Sequence, residues 1–419
     1  MSPATSMDTA TLDLARLEFA VTASIHFLFV AFTLGVATLV ALVQTRATVT
    51  GSPLHWRMTR YWGQLYVINY AVGIVTGLVM ELQLGLNWSG LGHFSGNVFG
   101  SLLAMETLTA FFLESTFLGL WIFGWGRMNR WLHLGLIWGI VLTAYASAFW
   151  IMLSNGFLQN PVGSRVVDGV LRLTDASAVF TNASALVALG HLMGGALLTG
   201  GLVFAGVSAW QLRGARHGDE VVYATSLKWG LRVALPALPV TAWMGVTHFD
   251  VLEATQPMKS ALLGDSAEQA LLQGQLAAQY GPDQYVPSSI GTIAAYLMMF
   301  CWVLMLLVTL VGLAGRRVRL RLLTLALPLP FIALLAGWVF RETGRQPWVV
   351  YGLLKTGDAL SPMSPLALRT SLVVFTGLFV FLGVVNYWLL ARFARRGPDG
   401  SALGVTSADP AASIPHPTF

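Results

Sequence analysis

The stretch SLLAMETLTAFFLESTFLGLWIFGW, Ser101 to Trp125, decides the class of this protein. About 20 apolar residues span a bilayer as a helix, and this run is longer. Yet it carries two carboxylates, Glu106 and Glu114, with no cation beside them. A carboxylate at mid-bilayer costs about 2.5–3.5 kcal/mol on insertion scales. Such residues face a protein interior, a metal or a proton path. In an α-helix an eight-residue spacing is a rise of about 12 Å and leaves the two on similar sides. The competing reading is a pair of protonated carboxyls that only lock helices together.

Working outward, the whole chain is of this kind. Of its 419 residues 55% are hydrophobic and only 10% charged. Nine apolar segments can be marked, at about 17–43, 64–85, 101–125, 133–154, 184–211, 229–248, 290–314, 320–341 and 371–393. In lipid each satisfies its backbone only as a helix. The expected fold is therefore an all-α polytopic membrane domain over 1–396, with a long loop at 249–289. From Gly397 to Phe419 the chain is rich in Pro, Ala, Ser and Gly and is expected to be a disordered tail.

Loop charges set the orientation. Arg46, Arg57 and Arg60 follow the first segment, Arg127 and Arg130 the third, and Arg213 and Arg216 the fifth. Arg316, Arg317, Arg319 and Arg321 lie between the seventh and eighth, and Arg392, Arg395 and Arg396 follow the ninth. The intervening loops are poorer, so the basic loops are expected to be cytoplasmic, the N-terminus outside and the C-terminus inside. The net charge of +5 is then a topology signal, and no nucleic-acid partner is expected. The segment 341–370 is an exception, placing Arg341, Arg345, Lys355 and Arg369 outside. The N-terminus lacks a basic region and a cleavage signature, so no removable signal peptide is expected. Cys301 is the single cysteine and no CxxCH occurs, which excludes c-type haem attachment to this chain.

With that orientation, His26, Glu106, His191, Met299 and Glu342 fall near one membrane face, and Glu114 lies deeper. His with Met is a usual axial pair for an electron-transfer haem, and a His or carboxylate can hold an iron with an open position. Each residue alone has a plainer reading. A membrane His can be a packing residue, Met298 rivals Met299, and Glu342 can pair with Arg341 or Arg345. A proton-coupled transporter would also place His and Glu this way.

Several motifs resemble subunit I of the cytochrome bd-type quinol oxidases, over about residues 12–396. They are ARLEFAVTASIHFLFV around His26, GLVMELQLGLNWS at 77–89, ETLTAFFLESTF at 106–117, SAFWIMLSNGFLQNP at 147–161 and GRQPW at 344–348. The resemblance implies a terminal respiratory oxidase that passes electrons from a membrane quinol to oxygen, giving water and a proton gradient. It implies His26 and Glu342 as ligands of two high-spin irons, a haem b and a haem d, with Glu106 at the same site. It implies His191 and Met299 as axial ligands of a low-spin haem b, and Arg345 and Trp338 as haem contacts. Glu114 and Ser147 would belong to a proton path from the cytoplasm. Lys259, in QPMK at 256–259, would bind quinol. A homologous subunit II would be the stable partner, with room for a small accessory single-helix subunit. The location would be the bacterial cytoplasmic membrane.

Two positions depart from the family pattern. Gly264 stands where a Glu is common, five residues after the lysine, and Leu297 stands where an Arg is common, two before the axial Met. The first favours an oxidase with a non-quinol donor. The second removes a positive charge near the low-spin haem and should lower its potential. A non-redox proton-coupled transporter is the rival of a different class. The ordered motifs, and the lack of a second half resembling the first, count against it.

Overall fold

The computed structural model describes residues 9–214, 219–314 and 319–404. Arg216, Arg316 and Arg317 of the basic loops lie outside them. Nine long helices run through the described residues: α1 (Thr9–Thr50), α2 (Pro53–Asn87), α3 (Ser89–Phe123), α4 (Arg130–Gln159), α5 (Ala183–Leu212), α6 (Glu220–Thr255), α7 (Ile290–Leu313), α8 (Arg319–Thr343) and α9 (Pro365–Arg396). All of these but α6 are both long and apolar enough to cross a membrane. α6 is long enough at 36 residues, but Pro236, Pro239, Thr241, Thr247 and His248 dilute its apolar run. The all-α polytopic fold is as the sequence implied.

Side-chain caps set several helix starts. Asn129 accepts from Trp131 N at the start of α4, and Asn182 from Ser184 N at the start of α5. Ser364 accepts from Ala367 N at the start of α9. Each relieves one of the orphan donors of a first turn. Small residues let the central helices approach. A Cβ on Gly201 of α5 would lie 2.7 Å from the Gly230 carbonyl oxygen of α6, and Gly35 meets Gly200 where α1 crosses α5. Close backbone approach at small residues is the usual device of membrane helix packing.

One end of the bundle carries the longer connections; we call it the loop end. It holds a hairpin of β1 (Ser164–Val167) and β2 (Val170–Leu173), turned by Asp168-Gly169 with both φ positive. Asp-Gly is the expected pair for such a two-residue turn. β3 (Trp348–Val350) and β4 (Leu354–Lys355) form a second, smaller hairpin. The loop 249–289 is largely helical, because α6 runs on to Thr255 and short helices follow at Pro257–Ala261 and Ser266–Tyr280.

The tail expected to be disordered from Gly397 is ordered over its first residues. Pro398–Gly400 form a turn. Asp399 accepts from Arg57 at 2.8 Å, Ser401 Oγ donates to the Arg60 carbonyl, and Leu403 joins the core beside Trp62 and Trp121. An ion pair and one buried leucine hold a segment whose composition suggests nothing of the kind. Residues 405–419 of the expected tail lie outside the described residues.

Candidate functional site

α3 is not one uniform α-helix. π-helical stretches occupy Gly96–Gly100 and Leu108–Glu114. Such wide turns are rare and gather at functional sites. The second lies between Glu106 and Glu114 and winds more slowly than an α-helix. Both carboxyls thereby face one cavity, which an α-helical spacing would have splayed further apart.

That cavity has a volume of about 230 Å³ and lies among α1–α4 and α8. His26, Glu81, Glu106, Glu114, Ser147 and Trp338 are in its wall. The Thr76 hydroxyl donates to the Gly73 carbonyl at 2.8 Å, so it accepts from His26 Nδ1 at 2.9 Å. His26 Nε2 then carries the free lone pair. Gly77 gives the ring room, since a Cβ there would lie 3.2 Å from Cε1. Ser147 Oγ donates to Glu106 Oε1 at 2.7 Å. Glu114 is 3% exposed, and the fully buried Tyr66 places its hydroxyl beside the Glu114 carboxyl.

Glu81 was not singled out in the sequence. It accepts from the Thr107 hydroxyl at 2.6 Å and lies beside Glu106. The signal was available: it is a carboxyl in an apolar run, the argument already applied to Glu106.

A second cavity of about 380 Å³ lies among α5–α8. His191, His248, Lys259, Met298, Met299 and Arg341 contribute to its wall. His191 Nδ1 donates to the Thr241 carbonyl at 2.9 Å, fixing the ring and leaving Nε2 free. Both methionines reach the wall. Met298 is packed against Gly337 of α8, whereas Met299 is 37% exposed. His248 was also missed; its Nε2 accepts from Arg341 at 3.2 Å. Phe27, Met152, Leu192 and Trp338 belong to both cavities, and the Phe27 and Trp338 rings meet at 5.1 Å.

Glu342 is in neither wall. Its Oε1 accepts from Asn155 at 2.8 Å and its Oε2 from Arg345 at 2.6 Å. The local ion pair foreseen as the plainer reading is the observed one. Arg345 keeps Nε and Nη1 buried without partners, which suits a further anion. Lys259, in the loop 249–289 and expected to bind quinol, is 2% exposed. Its Nζ donates to Gln159 Oε1 at 3.1 Å and to the Arg341 carbonyl at 2.6 Å. Burial, and then the Arg341 charge, hold its pKa well below that of a free lysine. Gly264 lies exposed, and a Cβ there would be 3.4 Å from Glu268 Oε2.

The chain matches the cytochrome bd terminal oxidase subunit I family over residues 14–279 and 267–398. It belongs to that family. It is 34% identical to the cytochrome bd ubiquinol oxidase subunit 1 of Bacillus subtilis (strain 168), covering 93% of this chain and 94% of that one. It is 31% identical to the cytochrome bd-II ubiquinol oxidase subunit 1 of Escherichia coli (strain K12), covering 93% and 97%. The bd oxidase of Geobacillus thermodenitrificans superposes with a TM-score of 0.82 at 25% identity, covering 92% and 98%.

The protein is thus a subunit of a bacterial membrane respiratory oxidase of the bd type, a family that works with haem and a second subunit. The donors fit haem. No group of three or more His, Cys, Asp or Glu that could hold a bare metal ion exists among the described residues. Instead single imidazoles present one free nitrogen each to a cavity, as axial ligands to a macrocycle do. The unpartnered Arg345 nitrogens would suit a propionate.

Proposed function

We propose that this subunit takes electrons from a membrane quinol and delivers them to oxygen, reducing it to water. The reading rests on one observation above the others. Two neighbouring cavities each receive a histidine whose Nδ1 is engaged and whose Nε2 is free, and only one of them is lined with carboxyls. Haem supplies the electron storage and oxygen chemistry when bound. His191, with Met299 or Met298, would hold a low-spin haem b, which would supply electron transfer. His26 would hold one high-spin haem of a pair, a haem b and a haem d. Glu342 would hold the other through a lone pair left free by Asn155 and Arg345, with the arginine balancing its charge. Trp338 would separate the two centres.

Reducing oxygen to water consumes four protons, and hydrocarbon supplies none. The buried Glu114 and Tyr66, then the half-buried Glu106 with Ser147, form the set that would relay them. With the basic loops cytoplasmic, the protons come from inside, the loop end faces out and a gradient results. The partner would be subunit II in the bacterial cytoplasmic membrane, with a small accessory subunit allowed.

One observation favours a second donor. Lys259 is committed to Gln159 and Arg341, and position 264 lacks a carboxylate. A quinol at Lys259 would have to approach from the His191 cavity rather than from the loop surface. The test is a reduced-minus-oxidised spectrum of the purified complex, followed by oxygen uptake with quinol. Haem bands with quinol-driven uptake are expected. Haem bands with uptake only from another donor would select the second reading, and a protein without haem would remove both.

A further inference from the structure

A buried polar seam runs from the loop end to residues adjoining the His26 cavity, and none of the roles above uses it. Glu18 of α1 is 0% exposed. Its Oε1 accepts from Gln83 at 3.0 Å and Asn87 at 2.8 Å, both on α2, and from the Ser371 hydroxyl of α9 at 2.7 Å. Its Oε2 is buried with no partner. Asn87 is 2% exposed, and its Oδ1 is likewise buried with no partner. These are acceptors on two residues already bonded to each other. Neither can satisfy the other without a proton, and a donor shared between them would satisfy both.

Unmet buried acceptors of this kind are ordinarily filled by ordered water, which needs two to four polar partners. The seam continues inward. Gln83 Oε1 accepts from the Thr22 hydroxyl at 2.7 Å. The chain neighbours of those two residues, Ala23 and Leu84, are in the wall of the His26 cavity. At its other end the half-buried Ser371 brings it to the edge of the bundle.

We propose that Glu18 and Asn87 hold ordered water, and that this seam is the route by which product water leaves the His26 cavity toward the loop end. The proposal rests on the oxidase reading for its cargo. Each oxygen reduced leaves two waters in a largely apolar cavity, and continued turnover needs them removed. A carboxylate serving only to staple α1, α2 and α9 would make the same three bonds to Oε1. It would leave Oε2 and Asn87 Oδ1 unexplained and would predict no kinetic effect beyond loss of assembled protein.

The test uses the complete oxidase complex in lipid nanodiscs. High-resolution electron cryo-microscopy should show density within hydrogen-bond distance of both Glu18 Oε2 and Asn87 Oδ1. Glu18→Leu removes the water-binding carboxylate. Gln83→Leu breaks the seam midway and leaves Glu18 bonded to Asn87 and Ser371. In whichever variant assembles, turnover at saturating donor and oxygen should fall severalfold, with haem content and the carbon monoxide spectrum of the reduced enzyme unchanged. Absence of that density, in a map that shows other buried waters, overturns the water site. Density with wild-type turnover in the variants overturns the route. A wild-type complex that consumes no oxygen would remove the oxidase reading instead, and the density would still decide the water site.

Discussion

The His26 and His191 cavities share Phe27, Met152, Leu192 and Trp338 as a common wall, yet the side chains each adds are of different kinds. The first adds three carboxyls, Glu81, Glu106 and Glu114, with Ser147 and Tyr70. The second adds three thioethers, Met298, Met299 and Met305, two imidazoles, His191 and His248, and two basic side chains, Lys259 and Arg341, and no carboxyl. Carboxyls and hydroxyls can take and give protons, whereas a methionine sulfur can only ligate or pack. On the function proposed above, the first cavity would serve proton-consuming chemistry and the second electron passage. That contrast is open to direct attack.

The hardest test removes the histidine on the proton-rich side. His26→Ala should reduce oxygen uptake to background while the low-spin spectrum assigned to His191 persists. Loss of both spectra together would show that the cavities are not independent sites. Next comes the supply of protons. Glu114→Gln keeps the shape and cannot ionise, so turnover should drop by about 10²-fold, the lower range for losing an acid–base group. Haem content should stay intact. A variant turning over at the wild-type rate would reduce Glu114 to a packing residue.

Much of this contrast was legible in the sequence, for a definite reason. A carboxyl or imidazole inside a 20-residue apolar run is expensive, so His26, Glu106, Glu114 and His191 stand out against their surroundings. What stayed hidden needed distant partners. Lys259 is buried by Gln159, a hundred residues away, so its loop position said nothing of its exposure. The π-helical turn at Leu108–Glu114 follows no local rule of composition, yet it turns Glu106 and Glu114 toward one cavity. Glu342 lay between those extremes. Its arginine partner is three residues away and was foreseeable as a rival to iron. The docked tail at Leu403 depends on the Gly63 and Trp121 surface and could not be read from its own residues.

A narrower test separates the adjacent Met298 and Met299 of the His191 cavity. Loss of the six-coordinate spectrum in Met299→Leu, with Met298→Leu unaffected, is the expected outcome. The reverse would move the ligand one residue, to the side chain already packed on Gly337. Electron entry should slow in the affected variant, and the carbon monoxide spectrum of the His26 side should not change.

The smallest effect is expected at Lys259, where the second cavity meets the donor. Its lowered pKa means that the folded protein loses this cation at a lower pH than a free lysine does. If the ammonium steadies negative charge on quinol as a proton leaves, quinol oxidation is supported below that pKa and declines as pH rises through it. The fall should therefore begin below the ordinary lysine value of about 10.4. Lys259→Met keeps the length of the stem, which must still pass Gly344, and removes the charge. It should raise the quinol KM severalfold at neutral pH and flatten the alkaline fall, with every haem spectrum unchanged. An unaltered pH profile would leave Lys259 a tie between Gln159 and the Arg341 carbonyl, and the donor would have to be sought elsewhere on the His191 cavity.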